Sequence, residues 1–158
     1  MTDASYADGA ERPLAFLVQD AGDLTVLSAL LQDAVLTVAD LRHIARSREF
    51  ALLANRFRWE DREAATREGR AFERVRTMVL FRDVMAVRSQ GLPRGDEDTV
   101  LSILSLEFEP GEDGTGAVIL TLAGDGALRL EVEALNATAR DVTRPYRAPS
   151  GKAPDHGA

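Results

Sequence analysis

The chain has 158 residues, of which 45% are hydrophobic and 28% charged, with a net charge of −7 and no cysteine. The lack of cysteine excludes disulfide bonds, thiolate catalysis and cysteine-ligated zinc, and the apolar runs are far shorter than the ~20 residues of a membrane-spanning helix. An acidic chain also lacks the positive surface that general nucleic-acid binding requires. The polar N-terminus has no secretory signal pattern, so we predict a cytoplasmic protein without a membrane or nucleic-acid partner.

Charge is distributed unevenly along the chain. Residues 42–94 contain thirteen arginines and seven acids, whereas residues 1–41 contain one arginine and seven acids. Residues 95–143 contain two arginines and eleven acids. This arginine-rich middle between two acidic flanks predicts either an anion-binding surface or basic and acidic parts that neutralise each other, within the chain or in a dimer.

The first third of the chain predicts one strand and one helix. Residues 1–13 are polar and predict a disordered N-terminus, and the alternation over 14–18 predicts a short strand. A helical pattern then begins at Asp23 and ends near Asp33, with its apolar residues on one face. Acids at Asp20 and Asp23 are typical of a helix N-terminus.

The rest of the chain predicts mostly strands. A charged segment at 60–72 predicts an exposed loop or a short surface helix, and Gly124, Asp125 and Gly126 predict a tight hairpin. The proline-rich segment from Arg144 predicts a disordered tail at 144–158, which leaves a single domain at 14–143. The predicted strands are 35–45, 49–59, 74–89 (unbroken, or broken near Arg82 and Asp83), 100–109, 117–123, 127–133 and 134–143.

Two weak internal matches suggest a duplicated three-strand unit. The sequence DAVL at 33–36 resembles DTVL at 98–101 with an offset of 65, and VMAV at 84–87 resembles VEAL at 132–135 with an offset of 48. The predicted fold class is α+β: a mainly antiparallel sheet of about seven strands, curved or partly closed into a barrel, with one N-terminal helix. The alternative is a two-layer sandwich of the two repeats.

Five segments of the chain resemble domain of unknown function family 2948, a bacterial family. These segments are LQDAVL (31–36), FALLANRFRWE (50–60), AVRS (86–89), VLSIL (100–104) and LRLEVE (128–133). The resemblance covers roughly residues 14–143. It implies a small cytoplasmic bacterial protein, and it assigns no catalytic residues.

The usual catalytic and metal-binding patterns are weak. The two histidines, His43 and His156, cannot supply the three or four ligands of a zinc site. Glu107 with Glu109, like other acids at two-residue spacing, is typical of the solvated face of a sheet. No serine lies in a nucleophile motif or has a histidine beside it in the sequence. We therefore expect no metal or cofactor and favour a protein that is not an enzyme, without deciding the question.

The segment 55–60, with the sequence NRFRWE, is the most distinctive part of the chain. Strand alternation places Phe57 and Trp59 on one face for apolar burial and Arg56 and Arg58 on the other. If strand 74–89 is unbroken, its arginines extend this face into a stripe that binds a ligand or a partner. The alternative is a solvated face that the protein's own acids neutralise. The candidate residues for ligand or partner binding are Arg56, Arg58, Trp59, Arg74, Arg76 and Arg88.

Two functions follow from these observations. The first is a non-enzymatic binding or adaptor module that contacts a protein partner or associates with itself. The second is an enzyme or sensor that binds a small anionic metabolite, with Arg56, Arg58 and Arg88 as clamps. A flat, exposed arginine stripe favours the first function, and a concave pocket at the arginines favours the second.

Overall fold

The computed structural model describes residues 13–69, 72–92 and 95–147. Within these residues, eleven strands form one antiparallel sheet, accompanied by two α-helices. The helices are α1 (Ala21–Leu31) and α2 (Arg62–Glu68). The strands are β1 (Ala15–Val18), β2 (Val35–Thr37), β3 (Leu41–Ile44), β4 (Glu49–Phe57), β5 (Glu73–Phe81), β6 (Val84–Gln90), β7 (Val100–Pro110), β8 (Gly116–Leu122), β9 (Ala127–Val132), β10 (Ala137–Asp141) and β11 (Tyr146–Arg147).

The sheet has two halves, joined where β2 pairs with β7. The strand order is β1-β10-β5-β4-β2-β7-β8-β9-β6, with β11 beside β5 and β3 beside β4. We call the strands from β1 to β2, with β3 and β11, sheet A, and the strands β7, β8, β9 and β6 sheet B. The chain passes from sheet A to sheet B between β5 and β6, and it returns between β9 and β10.

The predicted class is confirmed, since the fold is a mainly antiparallel sheet with few helices. The detail differs in three ways: the described residues form eleven strands rather than seven, they form two helices rather than one, and the sheet is open rather than partly closed. The extra helix, α2, lies within the charged segment for which a short surface helix was one of two predictions. Neither helix is long and apolar enough to cross a membrane.

Local breaks explain most of the additional strands. The predicted strand 35–45 is interrupted by a 3-10 turn at Val38–Asp40, where the Asp40 carboxylate accepts a 2.8 Å hydrogen bond from the Thr37 backbone N–H. The predicted strand 74–89 is two strands, because Asp83 has a positive φ of 58° and turns the chain from sheet A into sheet B. The hairpin prediction is also confirmed, since Gly124 and Asp125 have positive φ between β8 and β9.

The two halves of the sheet have a similar order of strands around the central β2–β7 pair. On one side follow β4, β5 and β10, and on the other β8, β9 and β6. This order is consistent with the match at offset 65, because Val35 and Val100 lie on the two central strands. The match at offset 48 links Val84 and Val132, which are cross-strand partners on β6 and β9. The duplication itself stays a prediction.

The described strands extend past the predicted domain end at residue 143. Tyr146 pairs with Arg74 in register, so the sheet continues to β11. The remainder of the predicted tail, 148–158, and residues 1–12 of the predicted disordered N-terminus lie outside the described residues.

The core lies between α1 and the inner faces of both half-sheets. Asp20 caps α1 by accepting a 2.8 Å hydrogen bond from the Asp23 backbone N–H, as expected of an acid at this position. Leu24, Leu27 and Leu31 share one face of α1 and are fully buried, each contributing about 1.5–3 kcal/mol of burial free energy. Helix α1 therefore packs on the inner side of the sheet and not on its outer side.

Candidate functional site: buried ion pairs and a basic outer face

Arg56 lies inside the protein rather than on a solvated face. On β4 it continues the inward row of Leu52 and Ala54, and its side chain has no exposed surface. Its guanidinium Nη1 and Nη2 bind both oxygens of Glu60 at 2.9 and 2.8 Å, and Nη2 also binds Asp141 at 3.0 Å. This bidentate contact is the strongest geometry available to an arginine and a carboxylate.

Asp141 connects four strands around this guanidinium. Its carboxylate accepts hydrogen bonds from the Thr77 hydroxyl on β5 at 2.7 Å and from the Leu14 backbone N–H before β1 at 2.8 Å. The Thr77 hydroxyl in turn accepts a 2.9 Å hydrogen bond from Arg56 Nε. The polar atoms of this group are therefore bonded to one another, and β1, β4, β5 and β10 are held at one end of sheet A.

The ion pair shifts the pKa of both partners. Burial by itself lowers the pKa of Arg56, but the hydrogen bonds and charges of Glu60 and Asp141 outweigh burial and raise the pKa above its ordinary value. Burial by itself raises the pKa of Glu60, but its bonds to Arg56 outweigh burial and lower the pKa. The Arg56 guanidinium and the Glu60 carboxylate therefore both stay charged at neutral pH.

Arg58 is the second buried arginine and also faces acids of the same chain. Its Nη1 lies 2.5 Å from a carboxylate oxygen of Glu73 and 3.7 Å from a carboxylate oxygen of Asp61. Its side chain is 4% exposed. Together with Glu60 and Asp141, these acids supply four carboxylates to the two buried arginines, so both guanidinium groups are already bound by acids of the same chain.

Trp59 lies at the end of β4, in an aromatic contact with Phe57 at a ring distance of 4.8 Å. Its indole N–H donates a 3.2 Å hydrogen bond to the Gln32 carbonyl after α1. The Arg62 guanidinium lies over the indole ring, 5.7 Å from its centre. An open cleft of about 530 Å³ is lined by Trp59, Arg62, Glu63, Thr66 and Arg67.

Arg74 and Arg76 lie on the outer face of sheet A. In the register of β4 and β5, Arg76 is paired with Asn55 and Arg74 with Phe57, opposite in phase to the inward residues. On neighbouring strands, Arg140 of β10 and Arg42 of β3 have the same outward phase. We call this surface the basic face; its members are Arg42, Arg74, Arg76 and Arg140 with the apolar residues Leu17, Ala51, Leu53, Met78 and Leu80.

The four arginines of the basic face have no ion pair within the part of the chain that the structure describes. Arg74 donates one long hydrogen bond, 3.4 Å, to the Asn55 carbonyl. Arg42, Arg76 and Arg140 are exposed, while Met78 and Leu80 between them are half-buried. The face thus combines free guanidinium groups with an apolar centre.

Arg88 lies apart from the other predicted arginines. It is on β6 of sheet B, where its cross-strand partner is Arg129. The stripe from Arg74 to Arg88 is conditional on an unbroken strand, and the alternative of a break near Asp83 is confirmed, which sends the two ends of the segment into different halves of the sheet. The prediction that Arg56 and Arg58 share a solvated face is wrong, because that face points into the core.

On the outer face of sheet B, one arginine is paired with acids of the same half-sheet. Arg129 on β9 binds Glu109 at 3.2 Å and Glu131 at 2.7 Å. The hydrogen bonds to Glu109 and then to Glu131 raise the pKa of Arg129 above its ordinary value. Among the described residues, no three His, Asp or Glu side chains are grouped in a way that could hold a metal ion.

Sequence reasoning missed most of the partners in these groups. Asp141, Thr77 and Glu60 were not singled out, although they hold Arg56 in place. Arg140 and Arg42 were also missed, because only the strand order places them on the same face as Arg76. The available signal was the alternation in the predicted final strand, which gives Arg140 and Asp141 opposite faces.

Comparison with known proteins identifies one family. No curated protein and no solved structure gives a significant match to the chain. One family model does match, over residues 14–156, and it is described as a protein of unknown function, DUF2948. The match covers nearly the whole chain and confirms the resemblance seen in the sequence. The chain therefore belongs to the DUF2948 family.

Proposed function

We propose that this chain is a small cytoplasmic bacterial binding or adaptor module, without enzymatic activity, that contacts a protein partner through the basic face. The observation that carries the proposal is the contrast in charge pairing. The arginines at Arg56, Arg58 and Arg129 bind acids of the same chain, whereas Arg42, Arg76 and Arg140 are exposed without an ion pair among the described residues.

The composition of the basic face supports a protein partner. Arginine, methionine and aromatic residues are enriched in the cores of protein interfaces, because they combine apolar contact area with directional hydrogen bonds. Met78, Leu80 and Leu53 form the centre of the face, and no α1 residue covers it. Such a surface gains apolar burial from a partner and offers its free guanidinium groups to the partner's carboxylates.

The alternative, an enzyme or sensor for a small anionic metabolite, has less support. Its clamp would consist of Arg56, Arg58 and Arg88, but the first two are buried in their own ion pairs and the third lies on sheet B. An incoming phosphate or carboxylate would have to displace Glu60 or Asp141 from the Arg56 guanidinium. Displacement of Asp141, whose side chain is 3% exposed, leaves a buried carboxylate unpaired at a cost of several kcal/mol.

A site-specific photo-crosslinker at Met78 tests the proposal in the source organism. Ile119 is the matched control, since it lies at an outward position of β8 in sheet B and is half-buried like Met78. We expect a crosslinked protein of defined mass from Met78 and none from Ile119, identified by mass spectrometry. Equal crosslinking from both positions, or none from either, would refute the basic face as the contact surface.

A further inference from the structure

We infer that the partner on the basic face is an acidic, partly apolar segment of a different protein, and not a second copy of this chain. This inference rests on the proposed function and specifies the chemistry of the partner. Three features carry it: the positions of the exposed arginines, the apolar centre between them, and the pairing of Glu109 and Glu131 with Arg129 on the other half-sheet.

The register of sheet A fixes the spacing of the charges. Arg42 of β3 is paired with Ala51 of β4, Ala51 with Leu80 of β5, and Leu80 with Thr138 of β10, two residues before Arg140. Neighbouring strands are about 4.8 Å apart, so Arg42 and the strand of Arg140 are separated by about 14 Å across the sheet. An extended segment covers that distance in about four residues.

The spacing defines the complementary sequence pattern. The complementary segment has acids at positions i and i+4 and an apolar residue at position i+2. Its two carboxylates would lie near the strands of Arg42 and Arg140. Its apolar residue would then lie over the row in which Met78 is paired with Leu53. Arginine meets carboxylates in bidentate geometry, so the acids specify the orientation of the segment while the apolar contact contributes area.

A second copy of the chain fits this face poorly. In a symmetric dimer through the basic face, the arginines of one copy would oppose the arginines of the other, and like charges in contact cost several kcal/mol. In a head-to-tail contact, the acids on the outer face of sheet B would serve as partners. Two of the acids on that face, Glu109 and Glu131, already bind Arg129, and a head-to-tail contact that does not close produces chains rather than a defined oligomer.

Synthetic peptides test the chemistry directly. A fluorescent peptide of about 12 residues with glutamates spaced by four and leucines between them is compared with the same peptide carrying glutamine, and then lysine, in place of glutamate. Binding to the full chain is measured by anisotropy. We expect the glutamate peptide to bind at least about tenfold more tightly than the glutamine peptide, and the lysine peptide to bind least.

The double variant R76E/R140E should weaken binding of the glutamate peptide by about tenfold or more. The matched control is R46E/R82E, which makes the same change in net charge at two exposed arginines, one in the turn after β3 and one between β5 and β6. We expect the control to bind within about twofold of the parent protein. Thermal unfolding of both variants shows that each is folded.

Four results would overturn the inference. The first is the absence of binding by the glutamate peptide up to about 1 mM at low salt, and the second is equal binding by the glutamine peptide. The third is a dimer, seen by light scattering, that R76E/R140E dissociates. The fourth is binding of anionic vesicles or single-stranded RNA that the same variant abolishes. None of these four results contradicts crosslinking of a partner from Met78. Failure of the Met78 crosslink would instead refute the proposed function.

Discussion

The outer faces of the two half-sheets use arginine in opposite ways. On sheet B, Arg129 binds Glu109 and Glu131, which are acids of its own and a neighbouring part of the half-sheet. On sheet A, Arg76 and Arg140 have no ion pair among the described residues. Both faces follow the same alternation of inward and outward residues. The difference between Arg129 and these two arginines therefore lies in which acids the strand order brings alongside each of them.

The inner face of sheet A shows a third use of arginine. Arg56 and Arg76 lie on adjacent strands, yet the first is surrounded by two carboxylates and a hydroxyl while the second is exposed. Removing a buried ion-pair partner and removing an exposed one have very different costs. Substitutions at these positions therefore test the distinction between buried, ion-paired arginines and exposed arginines.

The largest effect is expected from Arg56→Ala, compared with Arg76→Ala. The first substitution leaves Asp141 buried without its cation and should lower the free energy of unfolding by about 3–5 kcal/mol. The second removes an exposed side chain and should change it by less than about 0.5 kcal/mol. Urea denaturation followed by circular dichroism measures both. Similar losses in the two variants would contradict the distinction between a structural and a free arginine.

The contrast between Arg56 and Arg76 shows which structural features the sequence predicts and which it does not. Leu24, Leu27 and Leu31 lie within two helical turns, so their periodicity predicts α1 without knowledge of the fold. The alternation around Arg56 also predicts correctly which residues share its face. It does not say which face is inside, because that depends on Asp141, 85 positions away in the sequence. Contacts between residues far apart in the sequence determine the candidate site, whereas local sequence patterns determine most of the helices and strands.

An intermediate effect is expected from pH, through Glu60. Its pKa is lower in the folded protein than in the unfolded chain, so the ion pair stabilises the fold above the unfolded pKa of about 4.3. This stabilisation is lost as pH falls through the lower, folded pKa. Unfolding free energy should therefore decrease below about pH 5, and the deficit of Glu60→Gln relative to the parent protein should shrink over the same range.

The control for this pH series is Glu63→Gln, which removes an acid from the exposed part of α2. Its stability should run parallel to that of the parent protein across the range in which the Glu60→Gln curve converges. A constant difference between Glu60→Gln and the parent protein from pH 7 to about pH 3 would contradict a role for the charged Arg56–Glu60 pair in stability.

The smallest effect is expected from Arg129→Gln on sheet B. The substitution frees Glu109 and Glu131, but both acids and the arginine are at the surface, where water replaces the lost contacts. Stability should fall slightly at low salt and match the parent protein at about 1 M salt, because salt screens exposed charges. The informative readout is crosslinking from Ile119. If freeing the two acids makes this face capture a basic partner, then unpaired charge alone is sufficient for binding, and the apolar centre around Met78 is not what distinguishes sheet A.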